Sequence, residues 1–278
     1  MGHRQPGSRL LADPSISVRT ALPTSRNTAA TASADTDALV RLGRTYGRRA
    51  VAPGEREARI RDVFQGIAPG YDVANDLMSF GLHRRWKARL AAAVATDGVV
   101  LDLAGGTGDV AARLRRRGLD VVNGDPSTAM LAVDRRRHGN QPAVALAAEA
   151  LPFRDRSLGA VTLAFGLRNF TRPEAGLAEV HRVLRPGGRL HLLEFSTPDR
   201  WLRGLYRGAS AWLLPLLGGV VTGRPGAYRY LAQSIQAFPD EAAVTAALRR
   251  AGFVVEHQQR LAFGIAVVHT ALRPADSC

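Results

Sequence analysis

Cysteine and lysine are almost missing from this 278-residue chain, which has one of each, Cys278 and Lys87. A single thiol allows no intrachain disulfide and no thiolate cluster for zinc or an iron–sulfur centre. It permits a reducing compartment without requiring one. With lysine confined to position 87, no GxxxxGK(S/T) phosphate loop can exist, and Lys87 is the sole Schiff-base candidate. Acidic residues are also scarce, 24 against 38 basic ones, of which 37 are arginine. A skew of that size marks codon usage, so the net charge of +14 does not by itself indicate nucleic acid. A basic surface would still be drawn to phosphates or anionic lipid. Aromatic residues make up only 6%, and the runs at Arg115 to Arg117 and Arg135 to Arg137 have none interleaved for base stacking. Those runs read as solvated helix faces, and nucleic acid is not an expected partner. Uninterrupted apolar runs are missing too. The longest candidate, Trp201 to Val221, is broken by Arg203, Arg207, Pro215 and glycines, short of the roughly 20 mainly apolar residues of a membrane span.

What is present is a globular composition, 46% hydrophobic and 22% charged, on a length that allows one large domain or two small ones. Residues 1–52 are rich in Ser, Thr, Ala, Arg and Gly and have no aromatic before Tyr46, so they read as a disordered extension. The Ser/Arg-rich, acid-poor stretch from Arg4 to Ala34 also has the composition of an organellar transit peptide, and that reading stays open. No apolar core of a secretory signal follows the N-terminus. The folded domain is expected over 53–274.

Within it, short apolar runs alternate with helical stretches. The runs are Val99 to Ala104, Leu119 to Asp125, Pro142 to Ala148, Leu158 to Phe165 and Gly188 to Phe195; the helices are Val110 to Arg117, Thr128 to His138 and Glu174 to Leu184. This alternation predicts an α/β fold with a doubly wound, mostly parallel sheet and helices on both faces. A helix over Glu241 to Ala251 and two further runs, FVVEHQQR and FGIAVVHTAL, could close the sheet as a final pair.

The first strand ends at Asp102 and is followed by Ala104, Gly105, Gly106, Thr107, Gly108 and Asp109. Glycines there let the backbone turn sharply and let a ligand approach the main chain, while free amides at the helix start favour an anion. Asp125 ends the second strand, where an acidic side chain can accept hydrogen bonds from both ribose hydroxyls of a nucleoside. Asp102 suits the ammonium of an amino-acid moiety and would repel a pyrophosphate, which favours S-adenosylmethionine over NAD. The carboxylate of that donor could then take the helix amides.

VLDLAGGTGD, AEALPF, LAFGLRNF, HRVLRPGGRLHLLEFS, YRYLAQSIQAFPD and the block VFQGIAPGYDVANDLMSFGLHRRWK together resemble the family of quinone C-methyltransferases, over about Arg61 to Ala271. The resemblance implies a class I methyltransferase with a seven-stranded sheet, S-adenosylmethionine as co-substrate and a prenylated quinol as acceptor, with demethylmenaquinol converted to menaquinol as the leading case. It carries the cofactor positions onto Thr107, Asp125, the pair Ala147 and Ala148, and Ala164. Ala147 and Ala164 stand where many members have Asn and Ser, so side-chain hydrogen bonds are absent at both; each such loss costs about 0.5–1.5 kcal/mol. It also makes Arg168 the favoured catalytic residue. A guanidinium holds its proton too tightly for a base, so Arg168 is read as stabilising a developing oxyanion and Asn169 as orienting the quinol oxygen. The competing reading pairs Arg168 with a nearby carboxylate.

Residues 53–95 are expected to form a helical cover, in which Tyr71 and Asp72 could hydrogen-bond the methionine end or the quinol. His83 is the residue there with a suitable unperturbed pKa for a base, although it could equally be structural. Residues 200–235 are expected to form a substrate lid, with core or homodimer interface as the other reading of its apolar part. No His pair has the i, i+4 spacing of a zinc helix, and no metal is expected. The expected location is cytoplasmic, with peripheral contact at the inner face of a membrane left open. Three other functions stay open: methylation of another phenolic or polyketide-like acceptor, non-catalytic nucleoside binding, and NAD-dependent reduction.

Overall fold

The computed structural model describes residues 39–275 except 48, 207 and 209–222. A seven-stranded sheet organises them. Its strands are β3 (Val100–Leu103), β4 (Val121–Asp125), β5 (Ala143–Ala145), β6 (Leu158–Ala164), β7 (Leu184–Phe195), β8 (Val254–Leu261) and β9 (Ala266–Leu272), ordered β5-β4-β3-β6-β7-β9-β8. The first five are parallel, and β9 runs antiparallel between β7 and β8. The mostly parallel, doubly wound sheet expected from the alternation is therefore present. β3 and β6 are apolar nearly throughout because both sheet faces are covered, as a parallel sheet requires. β5 at the edge is short and largely exposed, which is why only three residues of the run Pro142 to Ala148 pair as strand.

Helices α4 (Asp109–Arg115), α5 (Thr128–His138), α6 (Pro173–Val183) and α8 (Glu241–Arg250) pack on the two faces, and their starts are coded locally. Ser127 caps α5 by accepting from Met130 N at 3.3 Å, and Asp240 caps α8 by accepting from Ala243 N at 3.0 Å. α7 (Pro225–Ala237) joins a separate cluster with α5 and the N-terminal helices through Met130, Tyr228 and Leu231.

Ahead of the sheet lie α1 (Pro53–Ile67), a 3-10 turn (Ala68–Gly70), α2 (Tyr71–Ser79) and α3 (Leu82–Ala93). Phe80 and Gly81, both left-handed at φ 49° and 73°, reverse the chain between α2 and α3. α3 turns Trp86 and Leu90 onto the sheet beside Val100 and Val110.

The expected start of the fold at residue 53 is corrected. Residues 39–43 are helical, and β1 (Thr45–Tyr46) pairs with β2 (Arg49–Ala50) as a small hairpin. Leu39 and Leu42 are 0% and 4% exposed and belong to the main core with Leu167 and Phe170. Tyr46 stacks on Tyr230 at 4.3 Å between ring centroids. Half of residues 39–52 are apolar, but the polar stretch of 1–38 dominates the composition of 1–52 and hid them; Leu39 and Leu42 are placed where the core can use them. The remainder of the extension, 1–38, and most of the apolar stretch within 200–235 lie outside the described residues.

Candidate active site

At the carboxyl ends of β3, β4 and β6 two cavities adjoin, one of about 290 Å³ and one of about 120 Å³. Tyr71, Ala104, Gly106, Ala164 and Phe165 line both, so a single elongated ligand could run through them. Parallel strand ends are where doubly wound folds bind ligands.

The glycine loop is built for close approach. A side chain at Gly105 would put its Cβ 2.2 Å from Asn123 Oδ1, and one at Gly108, where φ is +77°, would meet Asp134 Oδ1 at 2.0 Å. Gly106 is also left-handed, and its N–H donates to Asp125 Oδ2 at 3.0 Å. Ala104 adopts φ 52° without being glycine, so the turn carries backbone strain at the cavity wall.

Asp125, at the end of β4, borders the smaller cavity and also accepts from Ser127 N at 2.8 Å. Burial raises its carboxyl to about 6. Ala147 and Ala148 line the same space with Met130 and Phe170. This is a narrow slot with an acceptor at its polar side. Burial likewise raises Asp102, to about 7. Asp102 accepts from Thr162 Oγ1 at 2.7 Å and from Ala111 N at 2.9 Å. The helix start is thus partly committed: Ala111 N–H goes to Asp102, and Gly108 N–H to Gly105 O. Two of the amides expected to meet an anion are occupied within the protein.

Thr107 Oγ1 donates to Asp72 Oδ1 at 3.1 Å, and Arg137 pairs with the other Asp72 oxygen. Loop, cover and α5 are thereby tied together. Tyr71 sits at the junction of the two cavities, edge-on to Phe64. His83 lines the larger cavity, but burial and the Lys87 charge lower its imidazole to about 4. Its Nδ1 meets Ser79 Oγ at 2.7 Å, and the Ser79 hydroxyl donates to Asn75 O. The ring therefore donates from Nδ1 and is neutral at ordinary pH, a poor base.

Arg168 and Asn169 fall in a 3-10 turn, Leu167–Asn169, just past β6. The Arg168 guanidinium lines the larger cavity, packs over Phe165 and Phe195, and pairs with Glu194 at 3.1 Å. Both partners are almost wholly buried, and Arg168 Nε has no protein partner among the described residues. Asn169 Oδ1 accepts from Tyr230 OH at 3.2 Å. Burial raises the Tyr230 hydroxyl to about 12, which keeps it a donor.

Sequence reasoning missed Glu194, Tyr230 and Arg56. Arg56, in α1 and 1% exposed, donates to Arg168 O at 2.9 Å, Phe170 O at 2.7 Å and Thr45 O at 2.8 Å. It pins the backbone of the turn that presents Arg168. An arginine inside an otherwise polar helix start carries no signal for this in a chain with 37 of them.

The donor implied by the resemblance fits this chain: Gly105 and Gly106 of the loop line the cavity, Asp125 supplies the acceptor, and the cavities continue past it to Arg168. Among the described residues, no group of three or more His, Cys, Asp or Glu is placed to hold a metal ion.

Comparison with known proteins gives a family and a fold. The model of the ubiE/COQ5 methyltransferase family matches residues 53–273. A ubiquinone/menaquinone biosynthesis C-methyltransferase UbiE of Rubrivivax gelatinosus is 46% identical over 237 residues, covering 84% of this chain and 94% of the relative. The demethylmenaquinone methyltransferase of Thermus thermophilus is 46% identical over 222 residues, 76% of this chain and all of the relative. Among solved structures, the 1,6-didemethyltoxoflavin-N1-methyltransferase of Burkholderia thailandensis, bound to its acceptor and S-adenosylhomocysteine, aligns at a TM-score of 0.57 and 20% identity. It covers 82% of this chain and 92% of its own.

Proposed function

From membership of the ubiE/COQ5 methyltransferase family, to which this chain belongs, we infer the work of the two joined cavities. The protein is an S-adenosylmethionine-dependent methyltransferase acting on a ring carbon of a quinone precursor. We assign the acceptor more narrowly as a prenylated quinol, demethylmenaquinol first. The observation that carries this assignment is the larger cavity, apolar over most of its wall, with one charged fork, Arg168, set against the adjacent rings of Phe165 and Phe195.

Bound donor supplies a methyl group on a sulfonium. The acceptor carbon becomes nucleophilic when a quinol hydroxyl loses its proton and the negative charge spreads into the ring; after transfer, the proton of that carbon is lost and the oxygen takes one back, so that one proton is released to solvent per turnover. In this reading Asp125 holds the ribose, and Ala147, Ala148 and Ala164 shape the nucleoside slot. Gly105, Gly106, Thr107 and Gly108 carry the chain past the donor, and Asp102 takes its ammonium. Arg168 stabilises the phenolate as charge develops, with Asn169, fixed by Tyr230, orienting the oxygen. Tyr71 closes the junction where methyl and ring meet. His83, lowered to about 4, is assigned to holding α2 against α3 instead of to proton removal. Positioning of the reactants supplies much of the rate, up to about 7–11 kcal/mol of the barrier.

A lipid-soluble acceptor calls for contact with its membrane. Phe80, which lines the larger cavity, and Leu205 and Phe263, which are one and two residues in sequence from the cavity residues Tyr206 and Ile265, are exposed apolar residues, and Arg85 and Arg200 are exposed as well. This rim is assigned to peripheral docking on an anionic bilayer. No described helix is long and apolar enough to cross one.

Incubation with methyl-labelled S-adenosylmethionine and a panel of demethylated quinols and small phenols, scored by mass, tests the assignment. Label on the ring carbon of a prenylated naphthoquinol is expected. Label confined to small phenols or to oxygen would reject it.

A further inference from the structure

Among the described residues that line the larger cavity, three carry cationic or titratable basic groups: His83, Lys87 and Arg168. His83 is neutral, and Arg168, paired with Glu194 through Nη1, is the group assigned above to the acceptor's oxygen. Lys87 stands apart. It is the one lysine beside 37 arginines, so the position keeps a compact ammonium where the chain otherwise uses a planar fork. Its side chain is 11% exposed, rises from the buried face of α3 and faces the glycine loop across the cavity. It pairs with Asp109 at 3.4 Å, and an ammonium has three donors, so it can meet a second acceptor beside that carboxylate. The Lys87 charge also acts on Asp102 and favours its ionised form.

The amino-acid end of the donor carries an ammonium and a carboxylate, and both must be met on leaving water. Asp102 answers the first. For the second, the amides of Gly108 and Ala111 are already used within the protein. We propose that Lys87 recognises the donor's carboxylate, so that Lys87 and Asp102 together read the amino-acid end as a zwitterion. This rests on the S-adenosylmethionine reading above and deepens it. α3 then has a task besides covering the sheet: it delivers the cation that separates a complete donor from nucleosides lacking the amino-acid chain.

The test is a cycle in two variables, measured by calorimetry on the full chain. The proteins are the parent and Lys87→Met. The ligands are S-adenosylhomocysteine, its decarboxylated analogue and methylthioadenosine. The parent should bind S-adenosylhomocysteine about 10- to 100-fold more tightly than the decarboxylated analogue, and Lys87→Met should abolish that preference while keeping its affinity for methylthioadenosine. Retained methylthioadenosine binding certifies the fold of the variant. If Lys87→Met keeps the parent's preference, or loses all three ligands alike, Lys87 does not read the carboxylate. A parent that binds the analogue as tightly as S-adenosylhomocysteine overturns the proposal without any variant. A parent that binds none of the three rejects the donor reading, and the proposal with it.

Discussion

Removing the charge at Arg168 has two effects that can be separated, because its guanidinium both faces the cavity and neutralises Glu194. Arg168→Gln leaves a buried carboxylate without its partner, which costs about 3–5 kcal/mol. A marked fall in melting temperature is therefore expected, along with a loss of turnover of roughly 100-fold or more. Arg168→Gln combined with Glu194→Gln replaces the ion pair by two amides and should restore most of the melting temperature while turnover stays low. Recovery of turnover in the double variant would make Arg168 a scaffold residue only. Glu194 shows where sequence reading stops at this scale. Asp102, the loop glycines and Asp125 are legible because their spacing is local, one strand–loop–helix and the strand that follows. The Arg168–Glu194 pair spans 26 residues and the Arg56 contact with Arg168 spans 112, so each depends on strand order that no local pattern encodes.

The hairpin formed by β1 and β2 touches the site through others: Tyr46 stacks on Tyr230, which holds Asn169, while Thr45 O anchors the Arg56 that pins the Arg168 backbone. A chain beginning at residue 39 should match the full chain in stability. One beginning at residue 53, the start of the family match, loses the burial of Leu39 and Leu42, worth about 3–6 kcal/mol together. Its melting temperature should fall and its turnover should drop more than its affinity for S-adenosylhomocysteine, as calorimetry and an activity assay would show. Equal melting temperatures for the two chains would mean that the hairpin contributes nothing. Elements with a strong period were placed within a few residues by the sequence. β7 was not: it starts at Leu184, before the expected Gly188, because Leu184 pairs with Leu158 and the intervening Pro-Gly-Gly bulges before pairing resumes at Arg189. The hairpin was missed altogether, being stabilised by tertiary contacts and not by any pattern of its own.

Across the whole molecule, opposed titrations set the response to acid. His83, His191 and His269 are each lowered to about 4, chiefly by burial. Below about 6.5 the unfolded chain takes up protons that these sites refuse, so they withdraw stability as pH falls from 6.5 toward 4. Asp102 and Asp125, raised to about 7 and about 6, act in the opposite sense, because the fold takes up protons the unfolded chain does not. The parent's melting temperature should therefore change little between pH 7 and 5. Asp125→Asn removes one opposing group and should steepen the loss below pH 6 by up to about 1.4 kcal/mol per pH unit. Identical melting profiles for parent and variant would show that Asp125 does not protonate in the fold. The sheet itself was legible as mostly parallel with a closing pair, but not the insertion of β9 between β7 and β8. That insertion has a consequence for how the protein is made. β8 reaches the sheet only through β9, which follows it in the chain. Until β9 emerges, β7 presents an open edge from Arg189 to Phe195, the seven residues that pair with it. A nascent chain stalled before β9 is then a template for pairing with its neighbours.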